Sequence, residues 1–208
     1  MNIAILGWGS LIWCPGGLRI KTRWHTDGPL LPIEFARISQ DDRLTLVIQP
    51  GSAEQSTYWA FSEFAELKDA CKNLKDRERT KSSDIHHVLR DRTTGGDVDP
   101  DVASKVNSWV AQHDDVEAVV WTGLTSNWRE KRGRDFTAED AEHFLLGLES
   151  KRDYATAIYD RAREYLTHAP RGVDTAVRQA MRARGWSDTS LSSVLFEPSP
   201  IPAKSEKS

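Results

Sequence analysis

The stretch Ile5-Leu-Gly-Trp-Gly-Ser-Leu-Ile-Trp13 decides how this chain is read, because an apolar run passes directly into a turn punctuated by Gly7 and Gly9. A strand is expected over residues 2–6. Glycine lets the backbone come close to a ligand, and successive N–H groups turned inward make a nest for an anionic oxygen. A dinucleotide loop of the form GxGxxG matches only the first two glycines. Its third position is Ile12, and Pro15-Gly-Gly17 breaks the helix that should follow. A nucleophile elbow, GxSxG, needs glycine where Trp8 and Ile12 stand. A tight turn whose glycines serve packing alone stays open beside the ligand-binding turn.

The rest of the 208-residue chain bounds the choices. Its 28 Lys and Arg against 31 Asp and Glu give a net charge of −3, which disfavours a dedicated duplex-binding protein. With 38% hydrophobic residues, including eight Trp, the chain can bury a core without staples. Cys14 and Cys71 are too few for a disulfide framework, and buried free thiols are expected rather than a redox pair. No run approaches the ~20 apolar residues of a membrane helix, and the amino-terminal stretch lacks a basic region followed by a long apolar one. A cytoplasmic protein with no membrane partner is expected.

Residues 13–30, broken by Pro15-Gly-Gly17 and Asp27-Gly-Pro29, read as a surface loop anchored by Trp13 and Trp24. Strands follow at 31–38, 44–48 and 57–61, the first two joined at Asp41-Asp42. Phe64, Leu67, Ala70, Cys71 and Leu74 then recur at helical spacing, predicting a helix from the cap Ser62 to about Lys75. Residues 76–99 read as loop with a short strand at 85–89. A helix at 102–112, a strand at 117–122 and helices at 138–148, 154–168 and 176–184 complete the pattern, the last three behind Thr137, Asp153 and Thr175. Clustered strands followed by helices predict one α+β domain over residues 1–196, and the proline-spaced segment 197–208 reads as a disordered tail.

Gly7-Trp8-Gly9-Ser10-Leu11-Ile12-Trp13 resembles the YGSL or YGSLIW signature that opens the γ-glutamylcyclotransferase-like superfamily, with Trp8 in place of the usual Tyr. The resemblance covers roughly residues 3–80. Residues 32–39, 43–47, 119–122 and 169–170 also look like segments of uncharacterised bacterial proteins with that fold. It implies a small mixed sheet, curved or closed like a barrel, with peripheral helices. It also implies that a γ-glutamyl compound is cyclised to 5-oxoproline with release of its amine, without metal or cofactor. Gly7, Trp8, Gly9, Ser10 and Leu11 would hold the substrate, and Glu78, after the helix, aligns with the catalytic Glu.

That chemistry makes definite demands. The substrate's own α-amine attacks its γ-carbonyl, so the protein supplies a base for the ammonium proton and a cradle for the α-carboxylate. The family usually has glycine after its Glu, whereas Arg77 and Arg79 flank Glu78. Nearby cations lower a carboxyl pKa and weaken the base. A solvated charged helix end over residues 76–79 is the alternative, and a binding protein that keeps the pocket without turnover is the alternative to an enzyme.

Other features carry less. Glu34 interrupts an apolar strand and reads either as a pocket residue or as an outward one paired with Arg37. Trp59 reads as core. Asp84, His86 and His87 do not make a metal set, since adjacent His on an extended segment face opposite ways. The run Trp128-Arg-Glu-Lys-Arg-Gly-Arg134 has the shape of a single-strand grip, but Glu130 and Asp135 interrupt it, so a solvated loop and no nucleic-acid partner are expected. Oligomeric state is open.

Overall fold

Strand β1 (Ile3–Gly7) is buried at every position and divides two cores. Ala4 and Leu6 pack with Trp59, Trp109 and Trp121, while Ile3 and Ile5 pack with Ala70, Leu74 and Val120. The two-residue period of a strand makes this division, and burial of both faces explains the continuous apolar run. The computed structural model describes residues 1–150 and 152–187.

Three antiparallel strands, β2 (Leu30–Ile38), β3 (Leu44–Ile48) and β4 (Glu54–Ser56), form one sheet in the order β3-β2-β4. The other is mixed and has five strands: β1, β5 (Tyr58–Phe61), β6 (Ile85–Leu89), β7 (Thr94–Gly95) and β8 (Ala118–Thr122), in the order β5-β1-β8-β6-β7. In it β1 runs parallel to β8 and antiparallel to β5. The α+β class therefore holds, but among the described residues the strands make two sheets and no closed barrel.

Helix α2 (Leu67–Glu78) covers one face of the mixed sheet through Ala70 and Leu74. Helix α3 (Pro100–Val110) covers the other through Val102, Val106 and Trp109, and starts at Asp99, whose carboxylate accepts from the N–H groups of Asp101 and Val102. Helices α5 (Ala138–Glu149), α6 (Arg152–Thr167) and α7 (Ala176–Ala183) surround a third core with Phe35, Leu44, Leu145, Tyr159 and Met181. The caps expected from sequence form at two of them: Thr137 accepts from Asp140 N–H at 3.1 Å and Thr175 from Arg178 N–H at 3.3 Å. No helix among the described residues is long and apolar enough to cross a membrane. The expected tail at 197–208 lies outside the described residues.

Several local expectations are corrected. The helix expected from Ser62 begins at Leu67, because Ser62 is still held by the sheet: its N–H donates to Ile3 O and it bridges to Ile20. Its hydroxyl accepts from Phe64 N–H, forming a turn rather than a cap. At the other end the helix runs on to Glu78. Residues 10–13, read as the glycine turn and the first residue of the 13–30 loop, form a short helix, α1 (Ser10–Trp13), and residues 128–132, read as a solvated loop, form α4 (Trp128–Arg132), which Gly133 closes at φ +71°. Trp128 is buried against Phe136 and Phe144, so that aromatic presents no face to a nucleic acid. Cys14 is exposed and Cys71 half-buried, so only the second approaches the buried thiol expected.

Candidate functional site

The turn after β1 takes its shape from packing on both sides. Pairing between β1 and β5 ends at Gly7 opposite Tyr58. A side chain at Gly7 would place Cβ 3.0 Å from the Trp24 ring, so glycine is needed there for close approach. Trp8 is buried and its indole N–H donates to Leu46 O at 3.3 Å, tying the turn to β3. Ile12 N–H then donates to Gly9 O at 3.0 Å and Cys14 N–H to Ser10 O at 2.8 Å.

Trp8, Gly9, Ser10 and Leu11 line a cavity of about 1140 Å³, and Glu78 lines it with them. Gly7 stands behind the turn and does not reach the cavity. The sequence resemblance therefore names five residues of one concavity from two segments nearly seventy positions apart. The volume slightly exceeds the roughly 300–1,000 Å³ typical of small-molecule sites.

Arg77 joins these two segments. Its guanidinium donates to Pro15 O at 3.2 Å, Cys14 O at 2.6 Å, Ser10 Oγ at 3.1 Å and Glu78 Oε1 at 2.8 Å. The side chains of Arg77 and Glu78 are only 14% and 19% exposed, so the pair sits in a weakly screened place. Burial pushes the Glu78 carboxyl above its ordinary pKa, and the adjacent Arg77, by charge and hydrogen bond, opposes this without cancelling it. The expectation that the flanking arginines would leave a depressed pKa is thus corrected. Desolvation outweighs one guanidinium, and Arg79, with its side chain exposed, does not enter the balance. Nor is Glu78 part of a solvated helix end.

Arg79 occupies the helix C-cap at φ +52°, ψ +44°, with its N–H donating to Asp76 O and Lys75 O. This left-handed conformation is the one glycine adopts most easily. The chain therefore has, directly after Glu78, the backbone shape that a glycine would supply.

Glu34 is neither outward nor in the cavity. It is 2% exposed, and its carboxylate accepts from Phe35 N–H at 2.7 Å and from Ala176 N–H at 3.0 Å, at the start of α7. A register shift between Glu34 and Arg37 breaks the alternation on which the outward reading depended. Burial raises its pKa, against the Thr175 side-chain hydrogen bond and the backbone N–H bonds that lower it. Its role is to satisfy a helix start.

Trp59 is core, as its neighbours in sequence predict. His86 is buried edge-on to Trp121, where a Cβ at Gly96 or Gly123 would strike its ring, and His87 lies over Gly95. Both have pKa values lowered chiefly by burial. Among the described residues, no three His, Cys, Asp or Glu side chains are grouped closely enough to hold a metal ion.

Sequence reasoning did not find the remainder of the cavity wall. Arg43 of the β2–β3 turn lies 3.8 Å over the Tyr165 ring, and Tyr165 meets Trp13 edge-on at 5.9 Å. An isolated cation on a turn and aromatics on two separate helices carry no spacing signal. Of the lining residues, Thr122 carries a buried hydroxyl without a hydrogen-bond partner, while the buried Arg43 Nε lies 3.0 Å from Asp41 Oδ1 in an ion pair. Comparison of the chain with protein-family models, curated proteins and solved structures gives no match.

Proposed function

We propose that this protein is a γ-glutamylcyclotransferase-like enzyme, acting in the cytoplasm on a small γ-glutamyl compound, within a fold related to that superfamily. The observation that carries the reading is the shared cavity: a carboxyl with a raised pKa, Glu78, on the same concavity as the Gly9-Ser10-Leu11 turn, with one guanidinium hydrogen-bonded to both.

In this reading the turn holds the substrate's α-carboxylate and Glu78 takes a proton from the α-ammonium group. The freed amine attacks the γ-carbonyl, a new C–N bond closes the five-membered ring, and the old amide C–N bond breaks. The proton held by Glu78 passes to the departing amine. Atoms balance without water, oxidant or nucleophilic side chain, and the raised pKa moves the base towards neutrality, where proton transfer is most effective.

A second reading, a binding protein that holds a glutamyl-like ligand without turnover, is favoured by the Arg77–Glu78 ion pair, because a carboxylate already engaged by a guanidinium is a weaker proton acceptor than a free one. Incubation with a panel of γ-glutamyl amino acids, peptides and amines, with 5-oxoproline measured, tests both. Release from at least one compound, surviving chelators and blockade of Cys14 and Cys71, is expected. Binding without release on the whole panel would establish the second reading instead.

A further inference from the structure

His86 and His87 lie on β6, outside the cavity, and the chain around them is shaped to their rings. A Cβ at Gly96 or at Gly123 would overlap the His86 ring, and one at Gly95 would overlap the His87 ring. Bare backbone therefore packs on His86 from the β7 side and from the end of β8, and the imidazoles fill the space that three side chains would need. His86 is 8% exposed, yet among the described residues neither of its ring nitrogens has a hydrogen-bond partner.

What the rings hold is a weak element. β7 is two residues long and ends the mixed sheet, paired only with β6 through His87 opposite Gly95 and Val88 opposite Thr94. Thr94, Gly96 and Asp97 are exposed, so this arm gains little from apolar burial and belongs to the low-stability part of the fold.

A neutral imidazole can lie against backbone with its nitrogens idle, whereas burying an imidazolium that way forfeits its solvation. Three groups face His86: Asp97 after β7 and Asp84 before β6, which favour its protonation, and His87, which opposes it. Among the described residues β8 and α3 bring no charged group to the ring. Burial outweighs the two carboxylates and lowers the His86 pKa, and burial alone lowers that of His87. The hold on the arm is thus complete above the ordinary His pKa. It is lost as pH falls through the folded values, because histidines under a lifted arm take up protons that the closed ones refuse.

We propose that His86 and His87 form a proton-operated latch, which holds residues 94–97 on the sheet edge at neutral pH and releases them on acidification. Gly123 is coupled to the latch through the His86 ring. Its N–H donates to Asp84 O at 2.7 Å, and it joins Thr122 to Leu124, both of which line the cavity, so release also frees the backbone of one cavity wall. The latch does not depend on what the cavity binds.

Hydrogen exchange of the full chain at pH 7.5 and pH 5.5, corrected for the intrinsic rate at each pH, reads the opening directly. Protection of the amides of residues 94–97 and of Gly123 should fall by about tenfold at the lower pH. His86→Phe keeps a flat ring in the slot and loses no hydrogen bond, so the fall should shrink to about threefold, the share left to His87. Adding His87→Phe should abolish it. Equal protection of the wild type at both pH values, or a fall that persists undiminished in the variants, would overturn the latch. Should the variants not fold, NMR titration of the wild-type imidazole protons decides. A His86 pKa below the ordinary one, with the Gly95, Gly96 and Gly123 amide shifts following the same curve, supports it, while an ordinary or raised pKa, or amides that do not move, overturns it.

Discussion

Arg77 and Glu78, adjacent in the chain, are also joined side chain to side chain, Nη1 donating to Oε1 at 2.8 Å. Successive residues of a helix ordinarily point about 100° apart. Here both lie at the last turn of α2, where Arg77 folds back over Glu78 because Pro15 O, Cys14 O and Ser10 Oγ capture its remaining donors. One residue thereby fixes the distance from the carboxyl to the glycine turn and moderates the carboxyl's acidity. Arg77 is a positioning residue in the proposed chemistry, and Glu78 the catalytic one.

Glu78→Gln keeps the shape and removes the basicity, so 5-oxoproline release should fall by roughly 10²-fold or more with the fold unchanged. Stability gives a readout independent of any substrate. A carboxyl whose folded pKa is raised binds its proton more tightly in the native state than in the unfolded state. Its contribution is therefore fully present below the ordinary Glu pKa and is lost as pH rises through the raised folded value. The substitution deletes that dependence. Melting temperatures should show Glu78→Gln gaining on the wild type between pH 4 and pH 7. A constant difference across that range would mean that Glu78 is not desolvated.

Removal of the Arg77 charge should move the acidic limb of the kcat/KM profile to higher pH, since burial pushes the Glu78 carboxyl up and Arg77 is what opposes it. Arg77→Gln should show that shift together with a reduced kcat. Arg77→Lys keeps the charge but cannot reproduce the four-donor geometry, so its kcat should fall with the limb close to the wild-type position. An unmoved limb in Arg77→Gln would assign it to another group.

Much of this arrangement is legible in sequence for reasons that are local. The apolar run into Gly7 and Gly9 marks β1 and its turn, and Thr137 and Thr175 mark helix starts because a hydroxyl before a periodic run has one stable use. The turn at Asp41-Asp42 is also correct, and Asp42 takes φ +56° itself where no glycine is present. What was hidden depends on tertiary partners. Ser62 resembles a cap until Ile3 and Ile20 claim it for the sheet, and Glu34 resembles a pocket residue until α7 docks above it. The balance at Glu78 was misjudged for the same kind of reason, since flanking arginines are visible in a sequence and desolvation is not.

Glu34→Gln should destabilise the protein without touching turnover. The carboxylate satisfies two N–H groups, the buried one of Phe35 and the partly buried one of Ala176, with separate oxygens, whereas a glutamine offers one oxygen and turns an N–H₂ towards the other donor. One unsatisfied buried N–H costs about 1–3 kcal/mol, which denaturant titration would resolve. Because Glu34 does not line the cavity, kcat/KM measured well below the new midpoint should be unchanged. A selective loss of activity in a stably folded variant would place Glu34 in the site after all.

Arg79→Gly tests whether the cap after Glu78 carries strain. A non-glycine residue in the left-handed region costs on the order of 1 kcal/mol, and glycine removes that cost while adding part of it back as unfolded-chain entropy. Arg79 has no ion pair to lose among the described residues, so the conformational term decides the sign. A gain of up to about 1 kcal/mol follows, or about 2–4 °C in Tm for a domain of this size. A drop in stability would show that the Arg79 side chain, rather than the φ its backbone adopts, is what holds the end of α2.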